Sequence, residues 1–163
     1  MAVSEAEIEI GKRLFLEGWC GSTPDSFVPF VTEDFVMRDT LSHSGDLAGH
    51  AEPMRGHKQV MDFWGWAAGK LRVVPEEVYV NGDNGMALSW MMYLQITDDS
   101  KGPENKGRWH CGEGMSRLEF RDGKVCLEID YWSGPQGMCD DWEAHFNRRR
   151  AMTRPERGAI TGA

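Results

Sequence analysis

The chain has 163 residues, with 26 Asp and Glu against 18 Lys and Arg, a formal net charge of -8, 40% hydrophobic residues and seven Trp. That length predicts a single domain, residues 1–152, whose core buries roughly two thirds of the unfolded surface. The acidic balance argues against nucleic acid and anionic membranes as partners, because both must be met by a Lys/Arg face. The charge is also uneven: residues 146–163 hold five Arg and one Glu, +4, which leaves -12 on residues 1–145.

No stretch of 18 apolar residues occurs, and the N-terminus, MAVSEAEIEIGKR, is acidic and amphipathic, so a cytoplasmic protein without a membrane span is expected. The four cysteines, Cys20, Cys111, Cys126 and Cys139, form no CxxC pair and read as reduced packing residues. There is no Walker loop, dinucleotide fingerprint or GxSxG elbow. His43, His50 and His57, seven residues apart, fit no compact ligand motif, and no metal is predicted.

In chain order, Ser4 with Glu7 three residues on reads as a capping box opening a helix over residues 5–19, with Ile8, Leu14, Phe15 and Trp19 near helical spacing. Gly21 to Pro24 breaks it, and Asp25 to Val31 reads as a short second helix. Asp34 to Asp39 is a strand, followed by a long loop from Thr40 to Pro53 of the length that carries function. A third helix runs from His57 to about Leu71. Beyond Pro75 the period changes from helical to alternating, which predicts strands over Val78 to Val80, Met86 to Ile96, Gly107 to Phe120 and Val125 to Trp132, the last two joined at Asp122-Gly123. A final helix is predicted from Met138 to about Arg149, with Asp140 and Asp141 at its positive end and three Arg at its negative end. The basic tail, 153–163, is expected to be disordered. Helices followed by antiparallel strands predict an α+β domain, a curved sheet wrapped around about three helices with a cavity inside.

Strand 86–96 divides by parity. Met86, Leu88, Trp90, Met92, Leu94 and Ile96 are all apolar and read as packing or a subunit interface, predicting a homodimer or homotrimer; Ala87, Ser89, Met91, Tyr93 and Gln95 are mixed, as a pocket wall would be. On the last strand Cys126, Glu128, Asp130 and Trp132 share a face. Arg108, His110, Gly112, Gly114 and Ser116 share another, unless the glycines hide a bulge. Such polar faces equally suit a one-sided sheet that meets water.

The order of FVMRD, the glycine-led MRGHKQV, the hairpin, FRDGKV and EIDYW resembles the SnoaL-like branch of the nuclear-transport-factor-2-like superfamily over residues 5–135. The resemblance implies an α+β cone fold, shared by polyketide cyclases, ketosteroid isomerase, scytalone dehydratase and limonene-1,2-epoxide hydrolase. Asp130 falls at the catalytic aspartate of the epoxide hydrolases, but that family's partner Arg and Asp fall on Met91 and Tyr93, and its water-holding Tyr and Asn on Met37 and Asp39. Against ketosteroid isomerase, Asp39 falls at the proton-abstracting aspartate and Phe15 replaces the oxyanion-hole tyrosine. Neither set is complete.

The candidate catalytic residues are therefore Asp130 and Asp39, carboxyls that an apolar cavity would desolvate into the range of proton exchange near neutrality, and His110 as a second proton-transfer group. Tyr93, Arg38, Arg108, Trp132, Trp19, Phe15, Met91 and His50 are the candidate substrate contacts. The expected activity is cofactor-independent acid/base chemistry, as a lyase (dehydration or carbon-carbon cleavage) or isomerase, on a small hydrophobic, aromatic or polycyclic molecule. Epoxide hydrolysis and a non-catalytic ligand-binding role are the alternatives.

Overall fold

The computed structural model describes residues 2–40, 52–81 and 85–153. The loop segment with His43 and His50, the tip of the first hairpin and the tail beyond Thr153 lie outside the described residues.

Helix α1, Glu5–Arg13, starts as predicted. Ser4 Oγ accepts from Glu7 N at 3.2 Å while the Glu7 carboxylate accepts Ser4 N at 2.8 Å, so two of the helix's orphan donors are satisfied reciprocally. The helix continues in wider turns over Leu14–Trp19, whose Leu14, Phe15 and Trp19 are buried. The second predicted helix is only turns and one tight turn at Val28–Phe30, since Pro29 in mid-segment lacks the N–H that would bond the carbonyl four residues back and its ring crowds that carbonyl. Strand β1, Val31–Asp39, leads to the short β2, Met54–Arg55, and to α2, Gly56–Trp64. That helix is shorter than its apolar pattern suggests: Gly65–Ala67 tightens into a single turn, and Leu71 already belongs to a strand. His57 sits in its first turn, as expected, with Nε2 2.9 Å from Thr32 O.

Strands β3, Leu71–Asn81, and β4, Gly85–Gln95, form the first hairpin. Pro75 lies within β3 rather than before it; it is tolerated because β3 is an edge strand with a register shift between Pro75 and Val78. Strands β5, Trp109–Arg121, and β6, Lys124–Trp132, form the second. Their turn is the predicted Asp-Gly, with positive φ at both Asp122 (54°) and Gly123 (71°). A further strand, β7, Gly137–Cys139, replaces the expected start of the last helix and pairs antiparallel with β5. Helix α3 then spans Trp142–Thr153, capped by Asp141, whose Oδ1 accepts from Glu143 N and Ala144 N at 3.0 Å each.

The seven strands make one mixed sheet in the order β2-β1-β6-β5-β4-β3, with β7 on β5; β1 and β6 are parallel and the other pairs antiparallel. This is the α+β cone, curved and not closed into a barrel. Helices α1 and α2 fill its concave side, where Leu14, Phe27, Phe35, Val60, Leu88, Leu118 and Val125 pack without exposure. A smaller cluster, Met91, Tyr93, Cys111, Cys139 and Phe146, lies on the other side under α3. Arg149 ties α3 to the sheet through Glu76 at 2.5 Å and Glu113.

This two-sided covering corrects the parity reading of β4. The wholly apolar row from Met86 to Leu94 faces inward against α1 and α2, so it is not an outer face and does not argue for a subunit interface; Met91 and Tyr93 point the other way, to α3. The β4–β5 register runs unbroken from Gly85–Glu119 to Gln95–Trp109, so Gly112 and Gly114 hide no bulge. The shift falls instead at the base of the β5–β6 hairpin, where Cys126 is the extra residue between the pairs Phe120–Val125 and Glu119–Leu127. That extra residue puts Val125 and Glu128 on the same buried face, which uninterrupted alternation could not do. Among the described residues no helix is long and apolar enough to cross a membrane.

Candidate active site

On β6 the two-residue period sends Glu128, Asp130 and Trp132 to the concave face. Beside it, parallel β1 brings Asp39 into register with Asp130, with Met37 two residues before. On the other flank Ser116 of β5 is paired with Asp130, and Gly114 with Trp132. The helical layer contributes Phe15 and Trp19 from the turn after α1, and Phe63, Trp64 and Trp66 from α2 and its end. Together with Val73, Trp90, Met92 and Leu94 these enclose a cavity of about 140 Å³.

Each of its carboxyls has a hydrogen-bond donor. Trp19 Nε1 donates to Glu128 Oε1 and Oε2 at 3.1 and 3.2 Å, and Trp132 Nε1 donates to Asp39 Oδ1 at 2.9 Å. Trp90 Nε1 donates to Ser116 Oγ at 2.7 Å, and the Ser116 hydroxyl in turn donates to Asp130 Oδ1. Three indole N–H groups therefore serve three carboxyls, two directly and one through a serine relay. No Lys, Arg or His lines the cavity among the described residues. The indole and hydroxyl donors named here are neutral, and such donors stabilise a carboxylate less than an ion pair does.

The consequence is a displaced titration. Burial, reinforced by the Asp39 charge, pushes Asp130 up to about 7 against the opposing hydrogen bonds from Ser116 and Glu128. Burial and then the Asp130 charge push Glu128 well above the usual carboxylate range, although Trp19 opposes them. Glu128 thus holds its proton to higher pH than an ordinary carboxyl does, and Asp130 is poised between acid and base near neutrality.

Gly114 is what allows two indoles to meet over β5. Trp90 and Trp132 cross with ring centroids 6.0 Å apart, and a Cβ on Gly114 would stand 2.4 Å from Trp90 Cη2 and 2.8 Å from Trp132 Cβ. Gly114→Ala is therefore expected to cost about 2 kcal/mol and to pull Trp90 off Ser116. Urea unfolding and a red shift of the tryptophan emission would register the two effects; an unchanged midpoint would show that the rings yield freely.

Of the residues singled out from sequence, Asp130, Asp39, Trp132, Trp19 and Phe15 line the cavity together. The others do not. Tyr93 and Met91 pack under α3 because β4 presents its even-numbered residues inward. Arg108, just before β5, is drawn away by Asp140, 2.6 Å from its Nε, and by Asn105. Arg38 falls between Met37 and Asp39, and alternation turns it to the opposite face of β1. His110 pairs with Leu94 and Met138 at the far end of β5 and is not among the cavity residues. His50 lies outside the described residues. Sequence reading passed over Glu128, Ser116 and Trp90. Glu128 was legible, two residues before Asp130 on the same face; Ser116 needed the β5–β6 register, and Trp90 was assigned to packing.

Residues 13–128 match the SnoaL-like domain family, and the chain belongs to it. Its fold is shared with solved structures of low identity. A protein described as a SnoaL-like polyketide cyclase from Jannaschia sp. CCS1 matches with a TM-score of 0.60 at 17% identity, covering 82% of this chain and 91% of that one. TerC, co-crystallised with polyporic acid, matches at 0.60 and 14%, covering 79% and 92%. A protein of ketosteroid isomerase-like fold from Catenulispora acidiphila, in complex with trimethylamine, matches at 0.57 and 13%, covering 81% and 88%. No curated protein matches the chain.

Proposed function

We propose that the chain is an acid/base enzyme, a lyase or isomerase that needs no cofactor for its chemistry, acting on a small hydrophobic and aromatic molecule held in the indole-lined cavity. The single observation that carries this is the placement of Asp130, pushed up to about 7, beside Asp39 in a pocket whose other walls are almost wholly apolar. A pure binding pocket gains nothing from three buried carboxyls, which cost stability unless used.

The supporting chemistry is direct. Ionised Asp130 takes a proton from carbon or hydroxyl of the ligand, its charge held by the Ser116 hydroxyl and the protonated Glu128. Asp130, now protonated, returns that proton at a second position, which is isomerisation, or to a departing hydroxyl, which is dehydration, while Asp39 opens on the same space and holds the ligand in place. The indoles supply flat apolar walls that position an aromatic ring and exclude water.

A panel of enolisable aryl ketones and β-hydroxy aryl ketones, 2-tetralone among them, tests this in deuterated water. The expected result is protein-dependent deuterium uptake or loss of water that Asp130→Asn abolishes. Quenching of tryptophan fluorescence across the panel without any exchange or turnover would instead establish a binding module. Water labelled with heavy oxygen separates hydrolysis, since only a hydrolase places solvent oxygen in the product.

A further inference from the structure

On the side of the sheet away from the cavity, three elements distant in sequence converge. Cys111 is on β5, Cys139 is on β7, which pairs with β5 through Trp109–Cys139 and Cys111–Gly137, and His145 is in the first turns of α3. The two sulfurs and one imidazole nitrogen all lie within 4.8 Å of one another. Both cysteines are buried, at 7% and 8% exposure, and neither is in a disulfide.

The geometry points to a metal site here, in which Cys111, Cys139 and His145 bind a thiophilic ion of the Zn²⁺ class and fasten β7 and α3 to the sheet. Tetrahedral zinc, with bonds of about 2.3 Å to sulfur and about 2.0 Å to nitrogen, wants its ligand atoms roughly 3.5 Å apart, which adjustments of about an ångström reach from this arrangement. Two sulfurs and an imidazole select zinc over magnesium or calcium, whose ligands are oxygens. The surroundings are also those of a metal centre. Tyr93, fully buried, has its hydroxyl 3.0 Å from His145 Nδ1 and so orients the imidazole beside the two sulfurs. Trp142 lies against Tyr93 with ring centroids 5.7 Å apart and beside Trp109 at 6.4 Å, while His145 keeps one side toward solvent, by which an ion can enter.

The fold has a use for such a clamp. Helix α3 is held by Phe146, by the partly buried Trp142 and by the ion pairs of Arg149, and β7 is only three residues long. An ion ligated from β5, β7 and α3 would tie both down. Nothing in this placement touches the cavity, so the site stands independently of the proposed activity.

The test uses the full chain, reduced and stripped with a chelator, then titrated with Co²⁺ or Zn²⁺. One Co²⁺ per chain is expected, with a sulfur-to-cobalt charge-transfer band that Zn²⁺ displaces. Zn²⁺ should lower alkylation of Cys111 and Cys139 about tenfold or more, read peptide by peptide, and leave Cys20 and Cys126 unchanged. Cys139→Ser should remove the cobalt band and Cys126→Ser retain it, with circular dichroism confirming that each is folded. Because the alkylation experiment needs no variant, it decides the matter even if Cys139→Ser does not fold. The proposal is overturned by a reduced protein that takes up no Co²⁺ at equimolar concentration, by equal protection of all four thiols, or by a Cys111–Cys139 disulfide in place of a metal.

Discussion

Asp130→Asn should lower turnover by about a thousandfold, within the range typical of losing a general base, while ligand binding read by tryptophan quenching stays within a factor of about three. The asparagine has the same shape, still accepts from Ser116 and still stands beside Glu128, but it cannot hold a proton from substrate. The pH dependence supplies an independent check. A base must be ionised to act, so kcat/KM of the wild-type protein should rise with pH through about 7, the value to which burial and the Asp39 charge carry Asp130. A variant that keeps more than a tenth of the wild-type turnover, or a profile flat between pH 5 and pH 8, would remove Asp130 from the chemistry.

The largest expected stability effect is at Glu128. It has no exposure, and both its oxygens take the Trp19 indole N–H. Glu128→Ala leaves that donor without a partner and opens a void between α1 and the sheet, at an expected cost of about 3–4 kcal/mol in urea unfolding. Glu128→Gln keeps an acceptor for Trp19 and a donor toward Asp130, as the protonated acid does, and should cost less than about 1 kcal/mol. Equal losses in the two variants would mean that volume rather than hydrogen bonding holds the site.

The same acids make stability fall as pH rises. Asp130 binds its proton up to about 7 when folded but only up to its ordinary 3.8 when unfolded, so between those values the native state holds more protons than the unfolded chain. The proton-linked stabilisation is complete below about 4 and is lost progressively as pH climbs to 7. The full difference corresponds to about 4 kcal/mol. It should emerge as the difference in slope between wild type and Asp130→Asn, a difference that also includes the part of the Glu128 displacement caused by the Asp130 charge.

Much of the fold was legible because its signals are local. The capping box at Ser4 and Glu7 is made of residues one helical turn apart, and Asp122-Gly123 sits at a turn needing two positive φ angles. Alternation along β6 collected Glu128, Asp130 and Trp132 on one face, and Asp39 and Asp130 were both found, although they are 91 residues apart, because the resemblance to related enzymes supplied what spacing could not. Where reading failed, the deciding contact was distant. Helix α2 ended early because Leu71 is claimed by β4, and Met138 left its predicted helix because β5 offered an edge to pair with.

From the sequence came the architecture, a cone-fold chain rich in Trp and negative charge, and, through the family resemblance, Asp39 and Asp130 as candidate acids. The tertiary structure decided which face of β4 looks inward. Period-two alternation separates two faces but carries no sign, and here both are covered, one by α1 and α2 and the other by α3. Only the packing of those helices could show that Trp90 reaches Ser116 over Gly114 and that Tyr93 turns away to His145. Five of the seven indoles, Trp19, Trp64, Trp66, Trp90 and Trp132, consequently line the cavity, while Trp109 and Trp142 cover the two cysteines on the opposite side of the sheet.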